Sequence, residues 1–316
     1  MVWPGSHWQQ ALQQRPAGHR INKDMGYCLK LREPLADGLK RIFREEIDSA
    51  AGLCRHPAKQ RGVTVHEVRK HLKKLRAALR LTKDEVGKNR WATEDRCLRE
   101  IGRLVSDLRD AHVRLHTLIQ LRDDADQQFA RIEELLSMER ESFSAAFSGW
   151  QKQAIPKLER ARERLSKWPL ADITWKQICG VVAKTYRRGQ NRLGKALKTH
   201  DPESFHVWRM SVKELWYQLR VLRPLNRLVL EEIASDAKTL GELLGRGHDF
   251  AFLLARLDKE RGDQALYDEL AQLQKLIRKR GKRLHRDALE LGRRFYAEPA
   301  KAFAKRISIF IDRRKS

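Results

Sequence analysis

Five basic side chains, His66, Arg69, Lys73, Arg76 and Arg80, follow one another in steps of 3, 4, 3 and 4 residues. On an α-helix that spacing keeps them on one side, over roughly 20 Å at the usual rise per residue. Such a line suits a polyanion. Arginine grips phosphate oxygens with two parallel N–H groups, lysine acts as a point charge, and imidazole gains charge as an anion arrives. The apolar residues Val65, Val68, Leu72, Leu75 and Leu79 use the same steps one position earlier. One position is ~100° of rotation, so the cation line lies beside the core-facing stripe, at a helix–helix seam.

The line is written twice. At an offset of 140 residues, His66, Arg69, Lys73, Leu75, Leu79 and Arg80 fall on His206, Arg209, Lys213, Leu215, Leu219 and Arg220. At an offset of 139, Gly102, Leu104, Asp110, Leu115 and Leu118 fall on Gly241, Leu243, Asp249, Leu254 and Leu257. Two matches in one order and at nearly one spacing indicate an internal duplication. A basic line on a single helix reads first as a solvated face. Cations at sustained 3/4 spacing repel one another, however, by a few tenths of a kcal/mol per pair. A repulsive array that recurs while its surface neighbours change implies an anion that compensates for it.

The elements that position these lines are helical. Helix periodicity dominates, and alternating β-branched runs are nearly absent. The pattern predicts helices near 35–55, 64–83, 94–122, 124–165, 174–199, 203–222, 227–259 and 263–296. Pro156 is expected to kink or divide the fourth. Thr64, Thr93 and the Asp201-Pro202 pair are candidate N-caps. The Pro169-containing stretch Ser166–Thr174 is the candidate boundary. The fold expected is all-α: two pseudo-symmetric four-helix bundles at 25–165 and 166–316, behind a loosely ordered lead-in at 1–24.

Composition agrees with an anionic partner and narrows the class. The 66 Lys and Arg against 41 Asp and Glu give a net charge of +25, a self-repulsion that a polyanion relieves. The excess is focused: from Lys275 onward the net is +11, whereas Asp123–Ser142 carries −5. Cys28, Cys54, Cys97 and Cys179 include no C-x-x-C pair and read as reduced thiols. No apolar run approaches the ~20 residues that span a bilayer, and Met1–His19 lacks a signal-like apolar stretch. Cytoplasm is the expected compartment.

The duplicated H-x-x-R-x-x-x-K helix resembles the CHAD (conserved histidine α-helical domain) family. The segments Ser106-Asp107-Leu108-Arg109-Asp110 and Gly245-Arg246-Gly247-His248-Asp249 resemble its second recurring element. Tyr186-Arg187-Arg188-Gly189 with Arg192 is similar to the basic helix opening its second half. The likeness spans about residues 25–310. It implies two four-helix bundles around a basic channel that binds inorganic polyphosphate without turnover, at polyphosphate granules, with no cofactor. Carried over, the channel is lined by His66, Arg69, Lys73, Arg76, Arg80 and Arg109, and by His206, Arg209, Lys213 and Arg220. Tyr186, Arg187, Arg188 and Arg192 lie nearby, and a gapped alignment adds Arg41 and Arg44 as equivalents of Lys184 and Arg187. Trp216 stands in the place of Arg76 and His248 in that of Arg109, so the second half is expected to give a less charged wall.

Other chemistry fits less well. His66 and His206 near Asp110 and Asp249 invite a metal, but a zinc site needs three or four converging ligands, and cations crowd these positions. The two aspartates read better as orienting partners for Arg or His. His248-Asp249 is also an H-D dipeptide of the kind found in helical phosphohydrolases, without the further His and Asp set such enzymes need. Gly241–Gly245 lacks the G-K-[ST] of a P-loop, and no E-x-E-x-K motif of triphosphate-tunnel enzymes occurs. A weak nucleic-acid contact along Arg278–Arg286 stays open beside a solvated-face reading. The tryptophans do not interleave with the basic line as stacking platforms would.

Overall fold

Amphipathic stripes at 3.6-residue period underlie most of the twelve α-helices among the described residues, and side-chain caps open four of them. The computed structural model describes residues 26–312 apart from Gln60 and Asp126, so the lead-in expected at 1–24 lies outside the described residues. In chain order the helices are α1 (Leu35–Arg55), α2 (Arg61–Leu81), the single turn α3 (Lys83–Val86), α4 (Lys88–Arg103), α5 (Ser106–Ala125) and α6 (Ala130–Ser144). There follow α7 (Phe147–Ser166), α8 (Trp175–Thr199), α9 (Pro202–Leu222), α10 (Arg227–Leu257), α11 (Gln264–Phe295) and α12 (Ala300–Asp312). No strand occurs among the described residues.

Capping explains the sharp starts. Asp201 accepts from the Ser204 N–H at 2.7 Å, with Pro202 opening α9, and Thr174 forms a reciprocal capping box with Gln177. Asn226 and Asp263 cap α10 and α11 by accepting from the Val229 and Leu266 N–H groups. Thr64 and Thr93 are not caps, because α2 and α4 begin earlier. The Thr64 hydroxyl accepts from the Ala58 N–H at 2.8 Å, and the Thr93 hydroxyl donates to the Asn89 carbonyl. Pro156 sits inside an unbroken α7. The two long helices expected at 94–122 and 124–165 are each divided, the first by the turn at Leu104–Val105, the second by the non-helical residues before Ala130 and the turn at Ala145–Ala146. A last helix, α12, lies beyond the expected elements.

α2 packs against α9, joining the two halves. α1 packs along both α2 and α7, while α8 packs along both α9 and α12. α5 lies against α6 and α10, and α10 against α9 and α11. The buried core does not divide at Ser166–Thr174. One cluster gathers Phe43, Trp150, Tyr186, Trp208 and Phe303 from both sides of that segment, with Trp168 from within it. A smaller one joins Leu118, Phe129 and Ile132 to Leu253, Leu273 and Ile277. Full burial of each such side chain stabilises by about 1.5–3 kcal/mol. Gly292 allows one of the close approaches, since a Cβ there would lie 2.6 Å from the Trp208 ring. Among the described residues no helix is long and apolar enough to cross a membrane.

Candidate anion-binding seam

The core stripes of α2 and α9 are buried as their spacing requires: Val65, Val68, Leu72, Leu75 and Leu79 on one, Phe205, Trp208, Val212, Leu215 and Leu219 on the other. The residues one position on are therefore held at the margin of the α2–α9 contact. α5 brings Arg109 and Asp110 to the same place, and α10 brings His248 and Asp249.

Lys73 marks the centre. Burial, then Arg209, Arg109, Arg69 and Lys213, push its pKa down to about 7. Its side chain is nonetheless open to solvent. Both statements hold for an amine on the floor of a cleft, where water reaches it but protein surrounds it. Lys213 is lowered to about 8, by burial first and then by Arg209, and its ammonium lies 4.5 Å over the Trp216 ring. Burial also lowers Arg69 and Arg209. Against these five cations stand Asp110, which accepts from Arg109 at 2.9 Å, and Asp249, whose carboxyl is raised by burial despite Arg209, Arg109 and Lys73. The guanidinium of Arg69 donates to the Gly102 carbonyl. Gly245 lets Arg209 lie close, since a Cβ there would be 3.3 Å from its Nε. Arg209 Nε and Asp249 Oδ1 are buried without a hydrogen-bond partner among the described residues, which marks an incompletely satisfied polar site.

Histidines rim the cluster. His206 and His248 approach through Nδ1 atoms at 3.2 Å. Burial, His206 and two arginines lower His248 to about 4. His66 is lowered by burial, with Lys73, Lys70 and Arg109 adding to it against Glu67. His112 and His116, not singled out from sequence, stack on α5 with ring centroids 6.4 Å apart. They continue from Arg109 in steps of 3 and 4, the same signal that marks α2.

The remaining expected residues divide by their partners. Arg76 bonds the buried Asp95 at 2.7 Å and lines, with Arg69, Lys73, Arg99 and Arg103, a cavity of about 170 Å³. Arg80 and Arg188 share Glu214, at 3.2 and 2.7 Å. Arg192 donates to the Val207 carbonyl and the Ser211 hydroxyl. Arg220 lies over Trp216 and Tyr27. Arg41 is clamped by Glu33, Glu45 and the carbonyls of Gly26 and Cys28. Arg44 is exposed on α1, beside a groove shared with α7. Lys184 pairs with Asp84 at 2.9 Å, and Arg187 is exposed on α8. Tyr186 is buried, stacked on Phe303 and bonded to the carbonyls of Phe295 and Glu298. The structure thus gathers His66, Arg69, Lys73, Arg109, His206, Arg209 and Lys213 in one cluster, with Arg76 at its edge. Among the described residues no three His, Cys, Asp or Glu side chains gather as metal ligands.

The fold has a solved counterpart. The crystal structure of the CHAD domain from the plant Ricinus communis is similar with a TM-score of 0.65 at 20% identity, covering 90% of this chain and 99% of that one. No curated protein matches the chain. The CHAD domain matches residues 53–258, from the end of α1 through α10, a span that includes both cation lines. On that match, the chain belongs to the CHAD domain family.

Proposed function

We propose that this protein binds inorganic polyphosphate along the α2–α9 seam, as the family resemblance implies, and does not turn it over. The observation that carries this reading is the cluster of Arg69, Lys73, Arg109, Arg209 and Lys213, in which burial and then neighbouring cations depress both lysines, against the carboxylates of Asp110, Asp249 and Glu242. Such an array is unfavourable until an anion enters, and a phosphate chain carries roughly one charge per unit, so it neutralises the cations in register. We also infer that 25–165 and 166–316 are copies of one four-helix unit. The pairing of α1 with α2 and α7 corresponds to that of α8 with α9 and α12.

The aromatic side chains favour this reading over single-stranded nucleic acid. Trp150, Trp168 and Trp208 are buried, while Trp91 and Trp216 lie beneath cations, an arrangement unlike a row of open stacking platforms. Titration with long-chain polyphosphate across a salt series tests the proposal. Affinity is expected to fall linearly with salt on a log–log scale, with RNA a weak competitor at equal phosphate. Displacement by RNA at parity would shift the assignment to nucleic acid. Phosphate release on incubation, with or without divalent metal, would overturn binding without turnover.

A further inference from the structure

Lys73 differs from the lysines around it, and the role inferred for it rests on the anion-binding reading of the seam. Lys70 is paired with Glu67 at 2.5 Å, Lys74 with Glu46 at 3.3 Å, and Lys213 lies over Trp216. Lys73 is solvent-exposed and has neither an ion pair nor a hydrogen bond among the described residues. It lines the cavity of about 170 Å³ together with Arg69, Arg76, Arg99 and Arg103, and lies within electrostatic reach of Arg109 and Arg209. An open primary amine beside a phosphate-binding set of arginines selects for electrophiles that carry a phosphate. We propose that Lys73 is a site of acylation by acyl phosphates, held through their phosphate by these arginines with the carbonyl carbon at the Lys73 amine.

The chemistry needs a neutral amine, and the seam supplies one. With its pKa near 7, most of the Lys73 amine is unprotonated at slightly alkaline pH, where an ordinary lysine is only roughly 0.1% neutral. The nitrogen lone pair attacks the carbonyl carbon and a C–N bond forms. The bond from that carbon to the phosphate oxygen breaks, its electron pair leaving on phosphate, where the arginines stabilise the charge. The amine gives up one proton to the departing phosphate, and nothing is oxidised or reduced. The product amide carries no charge, so acylation removes one cation from the seam.

The test is incubation of the full chain with acetyl phosphate at about pH 7.5, with acetylation at each lysine followed over time by mass spectrometry. Lys73 is expected to react about tenfold faster than the exposed Lys152, and polyphosphate should protect it. The preference should shrink with phenyl acetate, which offers no phosphate to the arginines, and the fast adduct should vanish in Lys73→Arg. A Lys73 rate no greater than that of Lys152 would overturn the proposal. Separate titration distinguishes the two readings. Polyphosphate binding with an unreactive Lys73 sinks only the acylation, whereas a fast Lys73 without polyphosphate binding sinks only the polyphosphate assignment.

Discussion

The two cation lines share a spacing and differ in what lies beside it. On α2, Lys73 is open and Arg76 reaches the buried Asp95. On α9, the place of Arg76 is taken by Trp216, whose ring lies under both Lys213 and Arg220. The aromatic face shelters a cation that its counterpart leaves exposed, and Lys213 sits at about 8 where Lys73 sits at about 7. One residue further, polarity reverses. Buried Lys74 pairs with Glu46 to join α2 to α1, and Glu214, 140 positions on, pairs with Arg188 to join α9 to α8. That joint needs an ion pair of either polarity. Arg69 and Arg209, like Lys73 and Lys213, keep one sign in both halves, as the proposed polyanion would require.

The largest effect should follow from reversing the kept sign. Arg69→Glu with Arg209→Glu is expected to weaken polyphosphate binding by at least about 100-fold, at 1.5–3 kcal/mol for each charged contact, with the helical circular-dichroism signal retained. Each single reversal should cost about tenfold. Unchanged affinity in the double variant would refute the seam as the site. Loss on the α2 side alone would show that the α9 line is structural.

Exchanging the unlike pair should give a smaller change of opposite sign. Trp216→Arg adds a cation where α2 has one, and should tighten binding several-fold while steepening the log–log salt slope by about one unit. Arg76→Trp should do the reverse. Equal slopes in both variants would mean that the ligand does not run past this position.

A pH series reads the lysines directly. Both have free-state pKa values below the ordinary range, and a bound polyanion raises them, so binding takes up protons. Affinity should be full below about 7 and fall as pH rises through the free-state values of about 7 and about 8. The free protein shows the other side of the linkage. A base with a lowered folded pKa costs stability at low pH, and that cost is relieved as pH rises from the folded toward the unfolded value. Calorimetry in buffers of different ionisation enthalpy measures the uptake, and Lys73→Arg should reduce it. Binding without proton exchange would remove Lys73 from the ligand's path.

Where apolar and basic residues repeated in step, sequence was enough to place α1, α2, α8, α9, α10 and α11. The breaks at Leu104–Val105 and Ala145–Ala146 carry no proline or glycine, while α7 accommodates Pro156. α12 was legible in retrospect, because Phe303 and Ile307 lie four residues apart after Pro299 and both are buried. Its omission hid the burial of Tyr186, which stacks on Phe303. Charge type alone could not separate the arginines gathered at the seam from clamped ones. The partners of Arg41 are carbonyls 13 and 15 positions away and the carboxylate of Glu33, contacts that no helical period encodes. Glu214 was missed for the same reason, since its partners Arg80 and Arg188 come from two other helices.

The smallest effect concerns that joint. Glu214→Lys gives α9 the charge that α2 carries at the same position and leaves Arg80 and Arg188 facing a third cation. These groups are partly open to solvent, so the cost is on the order of 1 kcal/mol, seen as a fall of about 2 °C in Tm. Adding Arg188→Glu rebuilds the pair with the polarity of Lys74 and Glu46. At least half of the lost Tm should return, because Arg80 still lies near the new lysine. If the second change restores nothing, the α9–α8 joint depends on Glu214 holding two arginines at once. The two halves would then differ in the number of charges at the joint as well as in their order.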